Sequence, residues 1–300
     1  MATCNNSSKK SNDSLLAAGP SHPYTGVLDN DLEGLKMKPF KRIPHFFLLL
    51  TIALAFGTSS LAEPQKTHWQ EIADEEGIKV LQRKVPGTSF VSFKGSGVMD
   101  ASIYDVYSII FDIKHKTKLL SNCAKYELLK VKGLGNLVIY SRTNAPFVLI
   151  SDRDSVLETQ VTFEPETKRI YARFKKGDDR LMPAQDGAVR TLELTGEWVL
   201  EALADGKTRV TYEVNADPGG LLPAWLVNLG SRKLPLRTLL NLREQLNYPD
   251  DYERARLIVK HLYDFTPFLP AGHPALDKTT ESDAAAQKAL DEYKSEAKFP

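Results

Sequence analysis

The sequence predicts an α+β fold: a curved antiparallel sheet wrapped around a long C-terminal helix. Three observations carry it. From Ala124 to Ala216 apolar and polar residues alternate with a period of two. The breaks between these runs are short and rich in glycine and proline, which favours hairpins over parallel crossovers. The stretch DPGGLLPAWLVNLGSRKLPLRTLLNLREQL, Asp217–Leu246, then reads as a helix whose leucine face is wider than a surface helix needs.

The chain has 300 residues, 42% of them hydrophobic, and a formal net charge of +1. That balance excludes a wholly disordered chain and gives no basic excess for nucleic acid. The two cysteines, Cys4 and Cys123, have no metal-ligand spacing and make no disulfide framework.

The elements follow in chain order. Residues 1–36 are polar and without periodicity, and read as a disordered leader or a misassigned start. Residues 37–62 have the anatomy of a secretory signal peptide: Lys38, Lys41 and Arg42, then the apolar run Phe46–Phe56, then Ser60-Leu61-Ala62. The run, about 11 residues, falls short of the roughly 20 that span a bilayer. The alternative is an uncleaved anchor starting from Met1. Either way the remainder is expected outside the cytoplasm, periplasmic or secreted.

Trp69–Glu76 is expected as a short amphipathic helix stopped by Gly77. Residues 78–85 and 90–99 alternate as strands joined by Pro86-Gly87. DASIYDVYSIIFD predicts a helix capped by Asp100, with Ile103, Val106, Tyr107, Ile110 and Phe111 on one face. Strands are expected at 124–132, 136–144, 153–163, 168–175, 188–201 and 207–215, roughly eight in all. On 188–201, alternation places Leu192, Leu194, Trp198 and Leu200 on the apolar face; on 207–215 it selects Val210, Tyr212 and Val214.

In the final helix Leu222, Trp225, Leu226 and Leu229 fit one stripe, continued by Leu236, Leu239, Leu240 and Leu246, with Pro235 kinking it or breaking it in two. Residues 248–265 contain a further amphipathic helix. The tail, 266–300, reads as linker-like, with a loose helix near 282–296.

Residues 66–247 resemble a START domain, the StAR-related lipid-transfer family. The resemblance rests on GIKVLQRKV with FVSFKGSGVMD, ASIYDVYSIIFD, NAPFVLISDRDSV, GAVRTLELTGEWVLEAL and VTYEVNADPGGLLPAWLVNLGSRKLPLRTLLNLR, taken in that order. It implies a helix-grip fold around an internal hydrophobic cavity. It also implies binding, and often transfer, of one lipid or sterol without a cofactor, by a monomer that touches membranes transiently. The chain departs from the family at Ala145-Pro146-Phe147-Val148 and at KHKTKLLSNC, both of which bear on cavity shape.

On this reading Tyr140, Leu157, Leu194, Trp198, Tyr212, Leu222, Trp225, Leu226 and Leu229 are candidate ligand contacts, ordinary core packing being the alternative. Arg153 shares parity with the apolar face. The strand before it offers Arg142 rather than an acid, so Arg153 either meets an anionic headgroup or turns to solvent or to Asp152 or Asp154. Asp217-Pro-Gly-Gly is either a gate hinge or a tight turn. Lys114–Lys118 is either a headgroup contact or a solvated basic loop. No HExxH, GxSxG, dinucleotide or phosphate-loop pattern occurs, and no metal site is expected. A lipid-binding protein is therefore expected over an enzyme. The alternatives are an aromatase/cyclase-type helix-grip enzyme, which would need an inward acid–base pair, and a cavity-less interaction module.

Overall fold

The computed structural model describes residues 68–133, 135–145, 150–277 and 279–299. Contacts divide the chain into residues 1–62 and 63–300, and all described residues fall in the second unit. The leader, the signal peptide and its cleavage point lie outside the described residues.

The chain enters with β1 (Gln70–Glu75), β2 (Ile78–Lys84) and β3 (Val91–Met99). The expected first helix is thus a strand. Glu75 pairs with Ile78 across Glu76-Gly77, and both turn residues have positive φ, 53° and 72°. Gly77 supplies the second position of a two-residue hairpin and is not a helix stop.

Helix α1 (Ile103–Phe111) follows, then the single turn α2 (Lys116–Leu119). The cap of α1 is Ser102, whose Oγ accepts from the Asp105 N–H at 3.2 Å; Asp100 is exposed. The sheet continues with β4 (Cys123–Gly133), β5 (Asn136–Thr143), β6 (Asp152–Glu164), β7 (Arg169–Lys176), β8 (Ala188–Arg190), β9 (Glu193–Ala202) and β10 (Thr208–Asp217). The spatial order is β1-β2-β3-β10-β9-β7-β6-β5-β4. Every pairing is antiparallel except that of the short β8 with the start of β6. The predicted strand 188–201 is broken at Thr191-Leu192, which resets its alternation. Thr191 is buried, while Leu192, expected inward, is 58% exposed.

The sheet curves around two helices in place of one, α3 (Ala224–Ser231) and α4 (Leu234–Gln245), with Pro235 in the first turn of the second. α4 lies on β3. A Cβ added at Gly95 would come within 2.9 Å of the Pro235 Cβ, so only glycine lets this helix seat so closely. Helix α5 (Glu253–Leu262) packs on α1, and α6 (Thr280–Ser295) packs on α5.

The tail is no linker. Thr279 and Ser282 form a capping box at the start of α6, and Ala286, Ala289, Leu290 and Tyr293 are buried. Tyr293 stacks on Phe111 with centroids 5.3 Å apart. Beyond α6 the Phe299 N–H donates to the Leu129 carbonyl at 2.8 Å, covering part of the outer edge of β4. Among the described residues no helix is long and apolar enough to cross a membrane.

Candidate functional site

Between the inner face of the sheet and α3 lies a cavity of about 270 Å³. Its wall follows from strand register. Ile139 pairs with Leu157, Ser141 with Ser155 and Thr143 with Arg153, and all six side chains line the cavity. Across β7, β9 and β10, Phe174, Leu194, Trp198 and Tyr212 continue the wall. The Trp198 and Tyr212 rings pack at 4.3 Å between centroids.

From α3 and its approach come Leu222, Leu226, Val227, Gly230 and Ser231. The cavity-facing side of this helix therefore ends in two small residues, which leaves space that leucines would fill. At the other end Tyr107, Phe163, Tyr263 and Phe265 close the fold as an aromatic cluster, with Phe163 and Tyr263 stacked at 4.5 Å. The Tyr107 hydroxyl is buried there without a hydrogen-bond partner among the described residues.

Of the candidate ligand contacts, Arg153, Leu157, Leu194, Trp198, Tyr212, Leu222 and Leu226 border the cavity. Three do not. Tyr140 points to the opposite face of the sheet and packs with Leu129, Val138, Val156 and Met182. Its hydroxyl donates to Asp154 Oδ2 at 3.2 Å. Burial, then the carboxylate, push the phenol up to about 12. Trp225 and Leu229 lie on the outer face of α3, 67% and 59% exposed. Both corrections have one cause: β5 and α3 are apolar on two sides, so periodicity could not choose the inward one.

Arg153 does not take an acid. Its Nε donates to the Pro218 carbonyl at 3.0 Å, and its guanidinium also reaches the carbonyls of Ser151 and Gly219. It ties down the turn that leads into α3. That turn is tight: Gly219 and Gly220 have φ of 66° and 74°, and the Gly219 N–H donates to Asp217 Oδ1 at 3.0 Å. Arg142 instead pairs with Asp152 at 2.8 Å. The Ala145 N–H and the Arg142 guanidinium together hold the Asp152 carboxyl below its usual range. The buried carboxylate Asp154 is gripped on the outer face by Arg190, at 2.8 and 3.1 Å. This acid and its tyrosine neighbour therefore do not face the cavity.

Polar residues not among the candidate contacts also border it. Ser155 and Thr191 are hydrogen-bonded through their hydroxyls on the inner wall. Cys123 donates to the Lys125 carbonyl at 3.4 Å, and burial pushes its thiol up to about 11. Lys116, in the run read as either a headgroup contact or a solvated basic loop, is 5% exposed and lines the cavity. Its spacing to Leu119 and Leu120 was the available signal, since a helical turn puts all three on one side. Burial likewise raises the Tyr126 and Tyr212 phenols above their ordinary value, so both stay neutral.

No protein-family model matches the chain. An uncharacterized protein of Pseudomonas aeruginosa is 32% identical over 191 residues, covering 64% of this chain and 92% of that protein. Rat phosphatidylcholine transfer protein is 25% identical over 169 residues, 55% of this chain and 77% of its own length. Among solved structures, a fragment of the STAR-related lipid transfer protein of Xanthomonas axonopodis is 31% identical with a TM-score of 0.55. The match covers 60% of this chain and 98% of that one. Human STARD10, 18% identical with a TM-score of 0.56 over 62% of this chain and 76% of its own, shares the fold.

Proposed function

The chain belongs to the StAR-related lipid-transfer family, and on that premise we propose that it holds one lipid in the cavity beneath α3 and transfers it between membranes or carriers. The observation that carries this reading is the cavity: about 270 Å³ of space walled by Ile139, Leu157, Phe174, Leu194 and Trp198. It lies just below the roughly 300–1,000 Å³ usual for small-molecule sites. A lipid chain entering it leaves water at roughly 25 cal/mol per Å² of apolar area, which needs no cofactor.

Exchange requires α3 to move. Leu226 and Val227 face the cavity, while Trp225 and Leu229, one turn apart, face outward. Leu221, fully exposed, and Leu192 flank the same turn. This apolar surface beside the cavity fits a transient contact with a bilayer. Burying it there would offset the contacts α3 gives up on opening. The monomer suffices for this cycle. The signal-like segment 37–62 supports the periplasm or the exterior as the compartment, with the chain free or, if the segment is uncleaved, anchored, and the membrane facing it as the lipid source.

The test is to purify the exported form, extract it with solvent and identify co-purified lipid by mass spectrometry. About one lipid per chain supports the proposal. A chain that stays empty after incubation with vesicles of its host's lipids, and transfers none, sinks it.

A further inference from the structure

We infer that the cavity receives its ligand by a singly charged anionic head, and that the Lys116 ammonium is the group that holds it. The inference rests on the lipid-binding reading and names the ligand class. Lys116 opens the turn α2, whose C-terminal end is tied twice to α4. The Ser121 N–H donates to Thr238 Oγ1 at 3.2 Å, and Asn241 Nδ2 donates to the Leu119 carbonyl at 3.1 Å. The side chain is buried, and the groups around its ammonium border the cavity themselves. Nζ donates to the Ile110 carbonyl, lies 5.6 Å from the Tyr126 ring and neighbours Cys123.

An ammonium has three donors. Among the described residues the Ile110 carbonyl is its single hydrogen-bond acceptor, and no carboxylate lies within ion-pair distance. Asp112, the nearest acid in sequence, gives its Oδ2 to His115, at 2.7 Å from the backbone N–H and 3.1 Å from Nδ1. A buried cation with unused donors is costly unless an anion meets it. Burial lowers the Lys116 ammonium to about 8, so it is still mainly charged at neutral pH.

Of the other cations bordering the cavity, Arg153 is committed to backbone carbonyls and Arg173 pairs with Glu197 at 3.2 Å. Lys116 has donors to spare and feels Asp112 only at longer range, without an ion pair, so it can match one further negative charge. Two single-chain heads share that chemistry: a fatty-acid carboxylate and a lysophospholipid phosphodiester.

The experiment measures binding of oleate, lysophosphatidylglycerol and neutral methyl oleate to the full chain, Lys116→Met and Lys116→Arg. The expected result is that Lys116→Met weakens one or both anionic ligands by about tenfold or more. Methyl oleate should change by less than about twofold, which also shows that the variant is folded. Lys116→Arg should keep most of the anion affinity. The anion that responds identifies the source of the head.

Anion binding to the unmodified chain should also weaken as pH rises from 7 to 9.5, with methyl oleate unchanged. The titratable groups facing Lys116 are Asp112 after α1 and Cys123 and Tyr126 on β4; on α4, the neutral Thr238 borders the same cavity. The thiol and the phenol stay neutral over most of that range. Equal effects of Lys116→Met on acid and ester, or no effect on either, overturn the inference and leave the carrier reading standing. Failure of all three ligands to bind the unmodified chain overturns both.

Discussion

Gly196 shows how tightly single residues set the cavity wall. A Cβ placed there would come within 2.2 Å of the Glu213 carbonyl oxygen and 2.4 Å of Phe174 Cζ. Phe174 borders the cavity, so its ring has somewhere to go but the backbone oxygen has not. Gly196→Ala should therefore destabilise the fold by about 1–3 kcal/mol, read as a lower urea midpoint with an unchanged slope. At this scale the sequence was legible only in part. Parity placed Arg153 and Leu157 on the cavity wall because β6 alternates cleanly. It misplaced Tyr140 because β5 alternates apolar with apolar: Ile139 faces the cavity, while Val138 and Tyr140 pack beneath Met182 on the other side. Lys116 was only weakly legible: its spacing to Leu119 and Leu120 marked a shared side, but a lysine among lysines looks solvated until tertiary packing buries one of them.

At the scale of elements, α3 is the piece held by few bonds. Asn228 clips it to the loop between β2 and β3: its Nδ2 donates to the Ser89 carbonyl and its Oδ1 accepts from the Val91 N–H, both at 3.1 Å. Arg153 holds the approach to its N-terminus. No residue of α3 is fully buried. Asn228→Ala should thus leave thermal stability within about 1 kcal/mol of the parent while speeding lipid exchange, expected at about fivefold or more in a vesicle-to-vesicle transfer assay. Unchanged exchange would move the gate elsewhere. The sequence announced a kink or a break at Pro235, and the helix is two, with Pro235 in the first turn of the second. It did not announce which way α3 turns, because Trp225, Leu226, Val227 and Leu229 make it apolar on both sides. Gly230 and Ser231, too small to register in a hydrophobic stripe, mark the inward one.

For the whole molecule, the error in the sequence reading was the tail. Its alanines and charges suggest a linker, yet Tyr293 stacks on Phe111 and Phe299 pairs with β4. Low hydrophobicity misleads here because half of the buried face of α6 is small alanines, Ala286 and Ala289, beside Leu290 and Tyr293. Lys298 adds an ion pair to Glu127 at 2.7 Å. Deleting the chain from Ala297 onward should uncover the edge of β4. The expected outcome is faster aggregation, seen by light scattering at raised concentration, with lipid loading per soluble chain unchanged. The seating of α4 on Gly95 reaches further. One half of the closing pair is bolted to its support by a contact that tolerates no extra carbon, and the other hangs from a handful of polar clips. On the proposed carrier reading, uptake and release would need only a single short segment to unlatch, while the bulk of the molecule stays in place.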